Sequence, residues 1–504
     1  MAATEKVLIS FDTDRIKDYV FSSSKLAEIR GASAMLDRLN RTETKAILDK
    51  HHAKEIFIGG GSALAIADRS SAAKLISEVE ELYRETTKTG SITGVQVDLP
   101  PGYNGEKFDQ YFRQASAKLR SRKMRRSQQT SLVDLPQLAT CGSCGRYPAE
   151  SYDQDDLLCS ACLIKRNRGR FEHRGRVGLM QEFSNRLINK DPEWEEADMA
   201  ADFTEIGSVS RGCPGYIGLI YCDGNRMGDL LSQQKTMEDY RLFSDLVDRS
   251  LRESTEVVLQ SLRPRRLPDK KSAIFPFEII MLGGDDLILV TVADKALEVA
   301  AALAAGFEEK TCQKSPAVRL SLSVGVTIAH ASYPFYAILD TAEELLKSAK
   351  MRSFELNSVS NKGLQGAVDF MVITNTSGLS VKQLRKEEFS YLDGAASVSL
   401  SERPYSIEQV EHMVATIKKL KDSGFPQNKL QELYESIFQS KSAAMYQALV
   451  TMGRLDPKHQ KILKEYFGEY AIDQYPWRQD GQSFVTPIGD LIEAYAFVGN
   501  EVKE

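Results

Sequence analysis

Histidine is scarce in this chain, six in 504 residues. His173 and His330 stand singly, without partners at ligand spacing, and read as structural residues. Cysteine is also sparse and odd in number, seven, with four gathered in one short stretch. That count excludes a disulfide scaffold and points to a reducing, cytoplasmic setting. No apolar run is long enough to span a bilayer, and the N-terminus carries no secretory core, so no membrane role is expected. Strong charge of one sign is missing too. The net charge is −5, which excludes global polyanion binding. Any nucleic-acid contact must come from local basic patches. The length leaves room for roughly three or four domains, each able to bury a core.

What is present centres on residues 277–291, FEIIMLGGDDLILVT. Apolar runs flank a Gly-Gly pair, the pattern of a β-hairpin turning at Gly283-Gly284. Glycine at both positions permits φ > 0 and close approach of a ligand to the backbone. Asp285 and Asp286 then sit at the tip. Adjacent carboxylates repel, and Mg²⁺ is typically held by one or two carboxylates plus substrate phosphates. The rival reading is an ordinary turn with solvated acids. Residues 216–227, YIGLIYCDGNRM, form a second strand ending on Asp223. If that strand pairs with the hairpin, three carboxylates converge, as they do where two divalent metals sit about 4 Å apart. A further strand, LSLSVGVTI, follows at 320–328. The amphipathic helix TAEELLKSAK at 341–350 then buries Leu345, Leu346 and Ala349 and brings Lys350 within reach of a triphosphate.

The N-terminal part repeats this order. A strand at 6–12 ends on Asp12 and Asp14. A mainly helical stretch at 15–40 carries Leu26, Ile29, Ala32, Leu36 and Leu39 at helical spacing, with a helix start or bend expected at 30–33. Strands at 55–58 and 63–67 flank Gly59-Gly60-Gly61-Ser62. This reads as an internal duplication whose first copy has Gly61 and Ser62 in place of the hairpin acids. Such a copy has fewer metal ligands. Its glycine-rich tip, Gly60 and Gly61, is expected to cover a nucleotide held by the other copy.

Residues 108–126 form a helix bearing Arg113, Lys118, Arg120, Arg122, Lys123, Arg125 and Arg126. Without interleaved aromatics, a solvated or partner-facing surface is favoured over phosphate contact. Cys141, Cys144, Cys159 and Cys162 form two CxxC pairs separated by fourteen residues, the spacing of a closed, structural, tetrahedral zinc site. A redox dithiol is the rival reading. Cys213, Cys222 and Cys312 read as small buried hydrophobes. Residues 163–176 read as a basic surface and 191–202 as a variable acidic loop. Helical spacing returns at 407–421, 427–439 and 443–450.

The order CDGNRMG, LGGDD, SVGVTIAHASYP, AEELLKSAK resembles the second palm domain of the polymerase/cyclase subunit of type III CRISPR effector complexes, and more distantly the diguanylate cyclases. The stretches FDTDRIKDYVF, LAEIRGASAMLDRLN and IFIGGGSALAI, and the four-cysteine insertion, resemble the same family. The resemblance implies an α+β fold of two ferredoxin-like palms, a zinc insertion and a C-terminal helical bundle. The expected boundaries are 1–130 for a degenerate first palm, 131–175 for the insertion, 176–378 for the second palm and 379–504 for the helical domain. It further implies a nucleotidyltransferase that converts ATP to cyclic or linear oligoadenylates in antiviral defence. Asp223, Asp285 and Asp286 would be catalytic and hold two Mg²⁺ or Mn²⁺. Gly283, Gly284, Lys350, Ser244, Asn225, Gly60 and Gly61 would contact nucleotide. Implied partners are ATP, effector subunits and guide or target RNA, with self-association open. A non-catalytic scaffold or nucleotide sensor, or a stand-alone cyclic dinucleotide synthase, are the alternatives. Asn225 stands where many members have a second Asp, which bears on product choice. No His-Asp dipeptide occurs, so the form expected lacks the family's N-terminal nuclease domain and its single-stranded DNA cleavage.

Overall fold

The structure is a computed structural model. It describes residues 5–126, 139–153, 155–171, 177–268, 272–315, 319–359, 365–374, 380–394, 396–468, 476–481 and 483–499. His173 and the end of the basic segment 163–176 lie outside the described residues. The chain divides into two compact units: Met1–Asp202 with Arg226–Pro264 and Ser272–Ile288, and Phe203–Asn225 with Arg265–Lys271 and Leu289–Glu504.

The first unit is built on a four-stranded sheet in the order Lys54–Gly59, Ser62–Asp68, Lys6–Asp14, Ser91–Asp98, with antiparallel neighbours. Helices fill both connections, which gives the βαββαβ order of a ferredoxin-like palm. Alternation along the central strand decides the layers. Val7, Ile9 and Phe11 point to a core shared with Leu75, Val79 and Tyr83 of the helix Arg69–Thr87. Leu8 points to the other face, where Phe108, Ala115 and Leu119 of the helix Phe108–Arg126 pack with Tyr240. Tyr240 belongs to the long helix Met237–Gln260, capped by the Thr236 side chain.

The helix Leu26–Arg38 runs unbroken through Gly31, so the expected start or bend at 30–33 is corrected. Gly31 is needed for contact. A Cβ there would lie 1.8 Å from the Lys165 carbonyl oxygen, and one on Gly169 would lie 1.8 Å from that of Ala27. Gly169 is on the helix Ser160–Phe171 of the cysteine insertion, so the two helices cross backbone to backbone. The acidic stretch 191–202 is also corrected. Trp194 is fully buried and stacks on Phe275 at 5.0 Å, which fixes the segment to the apolar approach to the strand Phe277–Gly283.

The strand Asp286–Val292 passes from the first unit into the second after Ile288. In the second unit Tyr216–Gly224, Leu322–His330, Ala367–Val372 and Tyr405–Ser406 are successive neighbours in one sheet. Tyr216–Gly224 runs antiparallel to Leu322–His330, opposing Asp223 to Ser323, and Ala367–Val372 runs parallel to it. Continuous apolar stretches such as Ile217–Cys222 suit a sheet covered on both faces. The helices Ala296–Lys314 and Phe335–Val359 pack on it, the latter far longer than the ten residues read from sequence.

The expected C-terminal helices are present as Ile407–Asp422, Gln427–Ile437 and Lys441–Arg454, joined by Pro457–Tyr466. A small sheet of Ser390–Asp393, Ala396–Ser399, Ser483–Val485 and Arg478–Asp480, not foreseen, accompanies them. Buried Arg403 binds Asp490 at 2.8 Å and Glu493 at 2.6 Å, pinning the last helix, Ile488–Tyr495. Among the described residues no helix is long and apolar enough to cross a membrane.

Candidate nucleotide and metal site

Two glycine turns meet in the first unit. Gly60 and Gly61 both have positive φ, 57° and 79°. A Cβ on Gly283 would fall 2.7 Å from the Gly60 Cα, and one on Gly60 would fall 3.2 Å from the Gly283 carbonyl oxygen. Only glycine fits on either side. This corrects the expected turn by one residue. Gly283 closes its strand, Gly284 takes the positive φ of 63°, Asp285 completes the turn and Asp286 opens the next strand. Gly283 therefore serves close approach rather than chain reversal.

The turn has a support that local sequence did not reveal. The Gly284 amide donates to Asp248 at 3.3 Å. Asp248 is held by Arg252 at 2.9 Å, and Arg252 also binds Glu182. Arg41 bonds to Asp37 at 3.0 Å and lies 4.0 Å from Asp248. Burial raises the Asp248 carboxyl, opposed by Arg41. Arg41 lies in an irregular helical turn, Leu39–Thr44, with π-type geometry, a form frequent at functional sites. The i, i+4 spacing of Asp248 and Arg252 was the available signal.

Cavities open on both sides of the meeting turns. One, of about 470 Å³, has an apolar wall including Phe57, Phe112, Tyr240 and Phe243. Its polar wall comprises Gly283–Asp286 with Asp12, Arg120, Lys123 and Ser244. The other, of about 410 Å³, is bordered by Arg15, Lys17, Asp37 and Arg41 and shares Gly60, Gly283 and Asp286 with the first. Asp285 and Asp286 are half-buried, not on a solvent-facing tip. Burial lifts the Asp286 carboxyl to about 6, against the pull of Lys17. A carboxylate so placed gains from a cation. The donor set, all oxygen, suits Mg²⁺ or Mn²⁺.

The acids of the first strand are engaged differently. The Lys123 ammonium reaches Asp12 at 2.6 Å, the Thr13 carbonyl at 2.9 Å and Asp14 at 3.3 Å. Asp14 also accepts from Ser91 at 2.8 Å and Thr93 at 2.9 Å. The basic helix is thus not simply a solvated face. Lys118 donates to the Gln96 carbonyl, Arg122 to Gly94 and Glu80, and Arg120 lines the larger cavity.

In the second unit Lys350, expected at a triphosphate, is ion-paired with Asp223. Asn225 is held within its own unit. It is 5% exposed, donates to Ser321 Oγ at 2.9 Å and accepts from Ser323 Oγ at 2.7 Å. Both ends of its carboxamide pin the strand end to its neighbour. Thus Gly60, Gly61, Ser244 and Gly283–Asp286 lie together in the first unit, while Asp223, Asn225 and Lys350 lie in the second.

Cys141, Cys144, Cys159 and Cys162 place their sulfurs within 4.8 Å of one another. The Cys144–Cys159 separation is 3.8 Å, the edge of a tetrahedron about 2.3 Å from its centre, the length of a zinc–thiolate bond. The cluster can hold zinc. Cys213 and Cys222 are buried as expected, and Cys312 is only half-buried.

Residues 216–359 match the family model described as Cas10/Cmr2, second palm domain. The Cmr2 subunit of the CRISPR Cmr system of Pyrococcus furiosus is 24% identical over 220 residues, 40% of this chain. The match spans only about a quarter of that relative, 24% of its length. The Csm1–Csm4 cassette in complex with cA4 aligns over 98% of this chain and 70% of the solved one, at 17% identity and a TM-score of 0.57. The cassette in complex with AMPPNP aligns with the same coverage and identity, with a TM-score of 0.56. Csm1 of T. onnurineus gives 16% identity and a TM-score of 0.56 over 98% of this chain and 70% of that one. Residues 216–359 thus match the second palm domain of Cas10/Cmr2, and the chain carries the fold of the Csm1 subunits of type III CRISPR complexes.

Proposed function

We propose that the chain is a palm-type nucleotidyltransferase that joins ATP molecules into cyclic or linear oligoadenylates as part of a type III CRISPR effector. The observation that carries the reading is the pair of cavities around the Gly60–Gly283 contact. An apolar wall suited to a base faces a polar wall with the GGDD turn and two cations, Arg120 and Lys123. The resemblance to solved chains complexed with cA4 and AMPPNP supports the same reading.

In this reading Asp223, Asp285 and Asp286 would hold two Mg²⁺ or Mn²⁺. Their support is that all three lie, with Lys350, inside the matched palm residues 216–359. When bound, such ions supply Lewis-acid activation of a 3′-hydroxyl and neutralise the triphosphate. The chain's own groups do the rest. Gly283 and Gly284 admit the phosphates close to the backbone, and Asp248 fixes the turn. Ser244 and the aromatic wall orient the nucleoside. Lys350 exchanges its Asp223 partner for phosphate oxygens, which makes it a point charge on the triphosphate. The first palm, residues 1–130, contributes the Gly60–Gly61 cover, part of the aromatic wall through Phe57 and Phe112, and the cations Arg120 and Lys123, but no metal. The insertion, residues 131–175, holds one structural zinc. Effector subunits and guide or target RNA are the partners, and 379–504 is the surface offered to them.

The Lys350–Asp223 ion pair gives the scaffold or sensor reading its one specific support, since an ammonium there neutralises an acid without metal. The test is incubation of purified protein with each labelled NTP and Mg²⁺ or Mn²⁺, with products identified by mass spectrometry. Adenylate oligomers that vanish with Asp285→Ala/Asp286→Ala establish the enzyme. Metal-dependent binding of ATP with no product, with or without candidate subunits and RNA, would give the sensor reading instead.

A further inference from the structure

The cysteine insertion touches more of the site than a distant staple needs to. Ser143, between Cys141 and Cys144, donates to Glu28 at 2.8 Å. Arg166, four residues past Cys162, donates to the same Glu28 oxygen at 2.9 and 2.7 Å and to Ser143 at 3.0 Å. Arg166 and Glu28 are each about 1% exposed. Arg166 also binds Asp153 and Asp156, so both CxxC loops and the short hairpin between them are tied to the helix Leu26–Arg38. Lys165 faces another way. Its ammonium is buried, donates to the Tyr19 carbonyl at 2.6 Å and to Ser22 Oγ at 2.9 Å, and sits 3.8 Å from the centre of the Tyr19 ring. The Tyr19 hydroxyl in turn contacts Met35 Sδ at 3.9 Å.

The two segments that carry those anchor points also supply residues that line the 410 Å³ cavity. Arg15, Lys17 and Val20 border it from the segment that Lys165 holds. Ser33, Leu36 and Asp37 border it from the helix that Arg166 and Gly31 hold. A buried lysine is costly to keep charged, and desolvation lowers the affinity of Lys165 for its proton. A methionine of similar length would fill the same space without that cost. Packing alone therefore does not account for a lysine here, whereas holding the Tyr19 carbonyl does.

We infer that the insertion braces the cavity beside the glycine turns and that Lys165 is the positioning residue through which the cysteine cluster sets nucleotide affinity there. This rests on the nucleotide-binding reading above. It assigns the insertion a functional role, so that loss of zinc weakens nucleotide binding without touching the GGDD acids.

The experiment uses the full chain with Lys165→Met, measuring three quantities. Zinc content by elemental analysis stays at the wild-type level. The melting temperature stays within a few degrees of wild type or rises. Affinity for a non-hydrolysable ATP analogue falls about tenfold, and hydrogen exchange rises at residues 15–23. Chelation of zinc from the wild type gives the same loss of affinity, and chelation adds little in the variant. Unchanged exchange at residues 15–23 overturns the brace. Raised exchange with wild-type affinity overturns the link to nucleotide. Raised exchange together with a wild type that binds no nucleotide supports the brace and overturns the nucleotide reading.

Discussion

The two palms end their first strands in the same chemistry and use it oppositely. In the first, Asp12 and Asp14 with the Thr13 carbonyl surround the Lys123 ammonium, which has three N–H donors and three oxygen acceptors around it. The accompanying turn offers Gly61 and Ser62. In the second, Asp223 pairs with Lys350 while the accompanying turn offers Asp285 and Asp286. A lysine can stand in for a metal as counter-charge, but it is a single charge with fixed reach. Where no further acids arrive, the ammonium suffices and the strand end is stable without metal. Asp285 and Asp286 belong to the other unit from the Asp223–Lys350 ion pair, and burial lifts the Asp286 carboxyl to about 6 against the pull of Lys17. The ligand count of the turn, more than the strand end, separates the two halves.

The largest break in this comparison is Asp285→Ala with Asp286→Ala. Product formation should fall by at least about a thousandfold, since metal positioning supplies several kcal/mol and each ~1.4 kcal/mol is tenfold. Asp223→Ala should match it. Thermal melting, measured beside product formation, should hold or rise slightly, because two crowded half-buried acids are removed. Wild-type rates in the double variant would move the active site elsewhere.

Next comes Cys159→Ser. Zinc measured by elemental analysis should drop from one ion per chain to none, and the insertion should lose its fold, because structural zinc binding is itself folding free energy. Product formation should fall with it, about tenfold by way of nucleotide affinity. Zinc-free wild-type protein that melts normally would dispose of the structural ion.

Smaller effects separate the lysines. Lys350→Met should reduce product by roughly tenfold through nucleotide affinity, on the order of one charge-assisted contact. Lys123→Met should lower the melting temperature by a few degrees, leaving two acids without their shared partner, and change product only a few fold. Equal catalytic losses for the two lysines would mean that the first palm also handles triphosphate. The smallest effect expected is Asp12→Ala, within a few fold in product formation. A loss approaching that of the GGDD variant would show that both halves are catalytic.

Much of this was legible because it is local. The strands Lys6–Asp14 and Tyr216–Gly224 announce themselves as apolar runs ending on acid, and paired CxxC motifs carry their geometry in their spacing. What escaped depends on partners far along the chain. Nothing near Gly284 foretells Asp248, and nothing near Trp194 foretells Phe275. The basic helix looked solvated because the groups that receive its cations, Gly94, Gln96 and Asp12, belong to strands read separately. The anchoring of Asn225 was missed for the same reason, since Ser321 and Ser323 engage it from about a hundred residues on. Gly283 was given a turn's work because the turn was read without the glycine opposite.

That opposing pair, Gly60 and Gly283, sets a rule for anyone who would miniaturise or graft the GGDD turn. The hairpin that carries Gly60 cannot be trimmed away as spare sequence, nor its loop re-tipped with ordinary residues. A single methyl on Gly283 would fall 2.7 Å from the Gly60 Cα, inside van der Waals contact. A transplanted GGDD loop would have to bring its glycine counterpart with it. The portable piece is therefore two loops from distant parts of the chain, inherited together or not at all.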